Sequence, residues 1–244
     1  MTQTYPDEPF TITPDEYQNK YISWNIRNQN ERQYHQFKAQ IPTELLQTTD
    51  LTPKDTVTPN IELNGQTFCL SLSPNNGGKQ RKMYQKSQHS KKGFVSVLIP
   101  PQIAISSNII NYETAITTTN DTIKILLKNP QSKISQLTAL DETTDVTVSK
   151  EDSTITIPQT ILDRIDLTDT LYFCIKPVWN RVIFFIGTTQ ETMPSHAIRK
   201  KLSEKDLEEN TLSLPKPITQ LDSFPTTENI HLAHDTQRFF IKKQ

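Results

Sequence analysis

The chain has 244 residues and a formal net charge of −1 at pH 7, from 26 basic and 27 acidic side chains. Hydrophobic residues make up 34% of it, and no apolar run approaches the roughly 20 residues that a transmembrane helix needs. Residues 1–10 lack the charged and then apolar pattern of a signal peptide. We therefore expect a cytoplasmic protein that does not contact a membrane.

Four Ile-Pro or Leu-Pro pairs recur along the chain, with their prolines 58, 58 and 57 residues apart. The prolines are Pro42, Pro100, Pro158 and Pro215. The third residue after each proline is a large aliphatic, namely Leu45, Ile103, Ile161 and Ile218. Self-similarity at a constant spacing indicates a repeat architecture. The sequence therefore predicts four tandem units.

Each unit is predicted to run strand, strand, short helix, strand, strand. Residues before the proline alternate, as in Phe37, Ala39 and Ile41, which is the period of a half-buried strand. Proline suits the first turn of a helix, so we expect two-turn helices over 43–49 and 159–165. Polar turns then indicate closing hairpins. These turns are Asn64-Gly65, Asn120-Asp121, Asn180 and His234-Asp235.

The spacing predicts an N-terminal arm over 1–19 and units over 20–76, 77–132, 133–190 and 191–244. A unit of this size buries too little apolar surface to be stable alone. The units must therefore pack on one another. We expect a mainly β fold with short helices.

The sequence offers no arrangement that is typical of a catalytic or metal site. Cys69 and Cys174 fall in separate predicted strands, and we expect buried thiols without a disulfide. His231 and His234 are three residues apart in a predicted strand and should face opposite sides, which argues against a metal. No Ser, His and acid grouping or phosphate-binding glycine loop is found. We predict a non-enzymatic protein without metal or cofactor.

The repeated pattern resembles the AbrB/MazE/SpoVT swapped-hairpin DNA-binding family. The best matches are residues 154–171, 39–57 and, for the first strand of unit four, 197–201. The resemblance implies double-psi-like units that exchange hairpins in pairs to build barrel-like cores, with the N-terminal strands and loops presenting cations to duplex DNA. Four units then imply two pseudo-dimers, one with two and three with four, in a monomer or a homo-oligomer.

The chain also departs from that family. Members commonly have an arginine four places after the proline, and these places here hold Leu46, Ala104, Leu162 and Thr219. Members also commonly have a Gly-Arg pair before the Ile-Pro, and the matching places hold Lys38, Ser96, Thr154 and Thr211. Most of the arginines that the resemblance implies as DNA contacts are therefore absent. Base recognition by every unit is not expected.

Positive charge is concentrated in unit two. Residues 79–129 hold eight basic and two acidic side chains, whereas the other three quarters of the chain are neutral or acidic. Clustered cations attract phosphate with little sequence information, and Tyr84 could pack against a sugar or base. The expected DNA-binding residues are Lys79, Arg81, Lys82, Lys86, Lys91 and Lys92, helped by Lys38, Arg199, Lys200 and Lys201.

Three functional interpretations remain open. The first is an AbrB-like transcriptional regulator that contacts the phosphate backbone of double-stranded DNA and takes its sequence preference from DNA shape. The second is a protein-interaction, antitoxin-like or assembly module that keeps the scaffold without DNA binding. The missing arginines and the acidic units favour it, and the lysine run would then be a solvated loop or an internal docking patch. The third, an enzyme, would need a constellation that the repeats do not supply.

Overall fold

The computed structural model describes residues 21–29, 32–64, 67–74, 79–85, 93–128, 143–163, 167, 169–178, 181–191, 193–194, 196–225, 230–234 and 238–243. The strands are β1 (Ile22–Gln29), β2 (Arg32–Pro42), β3 (Thr56–Asn64), β4 (Thr67–Ser73), β5 (Arg81–Lys82), β6 (Tyr84–Gln85), β7 (Phe94–Ile99), β8 (Glu113–Thr118), β9 (Ile123–Lys128), β10 (Thr143–Asp145), β11 (Thr147–Ser149), β12 (Thr154–Thr156), β13 (Thr170–Val178), β14 (Arg181–Gly187), β15 (Ile198–Lys201), β16 (Thr211–Ser213), β17 (Ile230–His234) and β18 (Arg238–Lys243). The helices are α1 (Thr43–Leu46), α2 (Pro101–Ser106), α3 (Gln159–Leu162), α4 (Glu204–Glu208) and α5 (Lys216–Thr219), with a 3-10 turn at Ile109–Asn111.

The predicted mainly β fold with short helices is confirmed. Within the described ranges no helix has the length and apolar character needed to cross a membrane. The predicted arm over 1–19 and the turn residues Gly65, Asn180 and Asp235 lie outside these ranges.

The described strands form four antiparallel sheets. Their orders are β1-β2-β7-β6, β5-β3-β4-β9-β8, β11-β12-β16 and β10-β17-β18-β14-β13-β15. Strands β1 to β9 belong to one compact domain, here the N-terminal domain, and β10 to β18 belong to the C-terminal domain. Every described ladder between predicted units therefore joins unit one to unit two, or unit three to unit four.

Unit one follows the predicted order as β1, β2, α1, β3 and β4. Phe37, Ala39 and Ile41 are fully buried, as the alternation before the proline predicts, but Lys38 between them is buried too. Unit four differs, since α4 lies between β15 and β16 where the sequence analysis predicted no helix.

A proline stands directly before α1, α3 and α5, with φ of −57°, −57° and −63°. The carbonyl oxygen of the proline accepts the first hydrogen bond of the helix. The amide of Ile161 donates to Pro158 O at 2.9 Å, and the amide of Ile218 donates to Pro215 O at 2.8 Å. The missing N–H of proline costs nothing there, because the first helical amides have no partner within a helix. The repeated proline thus ends a strand and starts a helix.

The helix α1 is shorter than predicted, ending at Leu46 rather than at residue 49. The hydroxyl of Thr48 donates to Leu45 O at 2.7 Å and that of Thr49 to Leu46 O at 3.0 Å. Such local hydrogen bonds satisfy the last carbonyl groups and compete with further helical turns. The amide of Asp50 then donates to Asn120 O at 2.5 Å, which ties the chain to the β8–β9 hairpin.

The ladders between pre-proline strands have an internal two-fold symmetry. The β2–β7 ladder is symmetric about Ala39 opposite Val97, and the β12–β16 ladder is symmetric about Ile155 opposite Leu212. Each of these residues is the third before its proline. In both domains two pre-proline strands therefore pair about the third residue before the proline.

In the C-terminal domain two backbone hydrogen bonds repeat this symmetry. The amide of Ile157 donates to Asn210 O at 3.0 Å, and the amide of Leu214 donates to Ser153 O at 2.6 Å. Ser153 and Asn210 both have left-handed backbone angles, with φ of 59° and 53°. Each unit therefore supplies an accepting carbonyl to the other from the same unusual conformation.

We predict that Ile155→Ala lowers the free energy of unfolding by about 2–5 kcal/mol, because Ile155 is fully buried at the centre of the ladder and truncation leaves a cavity. The matched control is Thr156→Ala at the next, exposed position of the same strand, which should cost less than about 0.5 kcal/mol. Urea unfolding curves give both values. Equal losses in the two variants would contradict the role of the ladder centre.

Candidate nucleic-acid interface

Two of the predicted cations of unit two, Arg81 and Lys82, form a strand at a sheet edge of the N-terminal domain. Strand β5 is an edge strand and pairs with β3, so that Arg81 lies opposite Val57 and Lys82 opposite Thr56. One residue later the chain passes to β6, which is the edge strand of the other sheet and pairs with β7. Met83, between the two strands, is fully buried and anchors this crossing.

The side chains of this edge differ in exposure. Lys79 and Lys82 are exposed, whereas Arg81 is half-buried, and burial lowers the pKa of its guanidinium. The Nε atom of Arg81 is fully buried and finds no hydrogen-bond partner in the described part of the chain. The ion pairs found among the described residues do not involve Lys79 or Lys82. This edge therefore has two exposed lysines, Lys79 and Lys82.

Lys38 is close to this edge but is buried, with 7% of its surface exposed. Its Nζ atom lies 6.0 Å from the centre of the Tyr84 ring, within the range of a cation–π contact. On the same sheet face the side chain of Gln40 makes two hydrogen bonds. Its Nε2 atom donates to Ser23 Oγ at 2.9 Å, and its Oε1 atom accepts from Ser96 Oγ at 3.2 Å. We assign Lys38 to packing against Tyr84 rather than to direct contact with phosphate.

The predicted cations of unit four lie on β15, the edge strand of the large sheet in the C-terminal domain. Arg199 and Lys201 are exposed, and Lys200 is half-buried. Lys201 Nζ lies 3.4 Å from a carboxylate oxygen of Asp169. Hydrogen bonds from Thr170 and Lys201 lower the pKa of Asp169. No motif in the sequence marks Asp169 as a neighbour of these cations.

Lys200 lies near a second carboxylate, that of Asp206 in α4. Burial lowers the pKa of Lys200, and the charge of Asp206 opposes that change. Asp206 accepts hydrogen bonds from Ser203 N at 2.8 Å and Ser203 Oγ at 2.6 Å, and also from Ser213 N at 3.1 Å and from the Ser213 hydroxyl. Ser203 Oγ in turn accepts from Asp206 N, which completes a capping box at the start of α4. Asp206 therefore joins α4 to β16.

The remaining predicted residues and groups have simple outcomes. Lys86, Lys91 and Lys92 lie outside the described residues. Cys69 and Cys174 are buried thiols without a disulfide, which confirms that prediction. Over the part of the chain that the structure describes, His, Cys, Asp and Glu side chains form no group of three or more that could hold a metal ion.

Comparisons with known proteins add no further information on this interface. No protein-family model, curated protein or solved structure matches the chain.

We predict that Asp206→Asn destabilises the C-terminal domain at pH 7 by about 1–3 kcal/mol, because the carboxylate accepts several hydrogen bonds in a buried position. Burial alone would raise the pKa of Asp206, but the hydrogen bonds from Ser203 and Ser213 outweigh it and lower the pKa. The stabilisation is then fully present above the unfolded pKa, about 3.9, and disappears as the pH falls through the lower folded value.

Urea unfolding of the wild type and Asp206→Asn from pH 7 down to pH 3 measures this difference. The difference between the two proteins should begin to narrow as the pH falls below about 4. The matched control is Glu208→Gln, an exposed acid in the same helix, which should change stability little at any pH. A gap between wild type and Asp206→Asn that stays constant with pH would contradict the assignment.

Proposed function

We propose that the chain is a non-enzymatic DNA-binding regulator that contacts the phosphate backbone through the β5 edge of its N-terminal domain. The observation that carries the proposal is the pair of exposed lysines, Lys79 and Lys82, which make none of the ion pairs found among the described residues. Exposed lysines bind duplex DNA by displacing condensed counterions. We therefore assign the first contact with DNA to this edge.

The surrounding sequence supports the proposal. The next residues along the chain, 86–92, contribute Lys86, Lys91 and Lys92 and no acid. Between residues 79 and 129 the acids are Glu113 and Asp121 alone. A region with this balance attracts a polyanion at low ionic strength.

The resemblance to the AbrB/MazE/SpoVT family is part of the same proposal. Each domain has two ladders between its predicted units. One joins the pre-proline strands, β2–β7 or β12–β16, and the other joins the last strands, β4–β9 or β14–β18. This arrangement is compatible with units that exchange hairpins. Backbone contacts then provide affinity, and sequence preference arises from DNA shape, because most of the family's arginines are absent here.

A second candidate function is a protein-interaction, antitoxin-like or assembly module. The acids of and beside α4 favour it, because Glu204, Glu208 and Glu209 are all exposed. A cationic protein partner would bind such a surface, whereas DNA would be repelled from it.

We predict that replacing Lys79, Lys82 and Lys86 together with glutamine lowers affinity for mixed-sequence duplex DNA by about 10- to 100-fold at low salt. Three lost ion contacts at about 0.5–1 kcal/mol each correspond to a factor of this size. Fluorescence anisotropy with a labelled duplex measures the affinity.

The matched control replaces Lys54, Lys205 and Lys216 with glutamine, because these three lysines are exposed and the charge change is the same. It should retain nearly wild-type affinity, and both variants should unfold at nearly the wild-type temperature. Equal affinity in the two variants would refute the assignment of the β5 edge. If neither the wild type nor either variant binds the duplex, the interaction module is favoured.

A further inference from the structure

The strands β5 and β15, here called the two basic edge strands, occupy the same place in their domains. Lys82 lies opposite Thr56 on β3, and Lys201 lies opposite Thr170 on β13. Each threonine stands eight residues before the end of its strand. In the β3–β4 and β13–β14 ladders the last pairs, Asn64 with Thr67 and Val178 with Arg181, are both three residues apart in sequence. The two lysines are therefore in structurally equivalent positions.

The backbone leaves both strands in the same way. After β5 the amide of Met83 donates to Asp55 O at 2.8 Å, and after β15 the amide of Leu202 donates to Asp169 O at 2.7 Å. Met83 and Leu202 are both buried. A basic pair followed by a buried apolar anchor is thus a feature of each domain.

The cations of the two strands also have matching environments. Arg81 and Lys200 come first in each pair and are half-buried, whereas Lys82 and Lys201 come second and are exposed. The alternation of a strand places the two members of each pair on opposite faces. Each domain therefore has an exposed lysine on one face of an edge strand and a half-buried cation on the other face.

One difference separates the two strands. Asp169 forms an ion pair with Lys201, so its carboxylate lies where a phosphate would bind. The corresponding Asp55 instead accepts a hydrogen bond from the amide of Thr52 at 2.6 Å, and no ion pair of Lys82 is found among the described residues. The C-terminal strand should therefore bind phosphate more weakly than the N-terminal strand.

We propose that one chain carries two separate sites for duplex DNA, one on each basic edge strand, and holds two DNA segments at once. This rests on the proposed function, because the first site is the β5 edge described above. The second site uses the phosphate contacts of Arg199 and Lys201, and Asp169 competes with the phosphate there. The chain is then a DNA-bridging protein in addition to a DNA-binding one.

The test is capture of one duplex by another. A duplex is fixed on beads, the full-length chain is added, and retention of a second, fluorescent duplex of unrelated sequence is measured at low salt. The wild type should retain the second duplex. Arg199→Gln combined with Lys201→Gln should still bind the fixed duplex through the β5 edge, because Lys79 and Lys82 are unchanged, and should lose most of the capture. Lys205→Gln combined with Lys216→Gln is the matched control, since both lysines are exposed in the same domain, and it should behave as wild type.

The outcomes separate the two claims. Tight binding of the fixed duplex without capture by the wild type would overturn bridging and leave the proposed function intact. Capture that persists in the Arg199 and Lys201 variant would also overturn bridging through β15, because two associated copies would then hold the two duplexes. No binding to the fixed duplex would overturn both proposals.

Asp169 provides an independent test of the second site. Asp169→Asn should increase capture of the second duplex by about two- to five-fold, because it removes the carboxylate that competes with phosphate for Lys201. Glu191→Gln removes the same charge from another exposed position of the C-terminal domain and should have a smaller effect. Equal gains in both variants would show a general charge effect and refute competition by Asp169.

Discussion

The fold depends on the antiparallel pairing of two pre-proline strands about the third residue before the proline. Because side chains alternate along a strand, a slip of one residue would turn every core residue of that strand toward the other face. The proline fixes where the strand ends and where the helix begins, and so fixes this register. In the N-terminal domain Ala39 and Val97 meet at the centre with no exposed surface. This pairing positions the later strands of each domain. Among them are β3 and β13, which pair with the basic edge strands β5 and β15.

Much of this architecture could be predicted from the sequence because it depends on local chemistry. Proline lacks the amide hydrogen that a strand interior needs and that a helix start does not, so the four Ile-Pro and Leu-Pro pairs mark the same structural event. The lengths of the helices could not be predicted in the same way. Thr48 and Thr49 are compatible with a helix, but their hydroxyls bind the last carbonyls of α1 instead. The role of Asp206 could not be predicted either. Its partner Ser213 lies on β16, outside the helix α4 that contains Asp206.

The charged residues were harder to predict, because burial depends on contacts distant in the sequence. Lys38 alternates with core residues, so that an exposed position is expected. It is instead buried against the ring of Tyr84 from predicted unit two. The ion pair of Lys201 with Asp169 joins units four and three. A signal for the equivalence of the two edges was nevertheless present. Arg81-Lys82-Met83 and Lys200-Lys201-Leu202 are both a basic pair followed by a large apolar residue.

The two domains share a symmetric arrangement of strands but differ in the charge of their edge strands, and we propose that these strands present exposed lysines to the phosphates of duplex DNA. The most direct measurement is the affinity of the wild-type chain for a mixed-sequence duplex at several salt concentrations. We predict that the logarithm of the association constant falls linearly with the logarithm of the salt concentration, with a slope of about −0.9 for each phosphate contacted. Absence of binding at the lowest salt concentration, or an affinity that salt does not change, would contradict it.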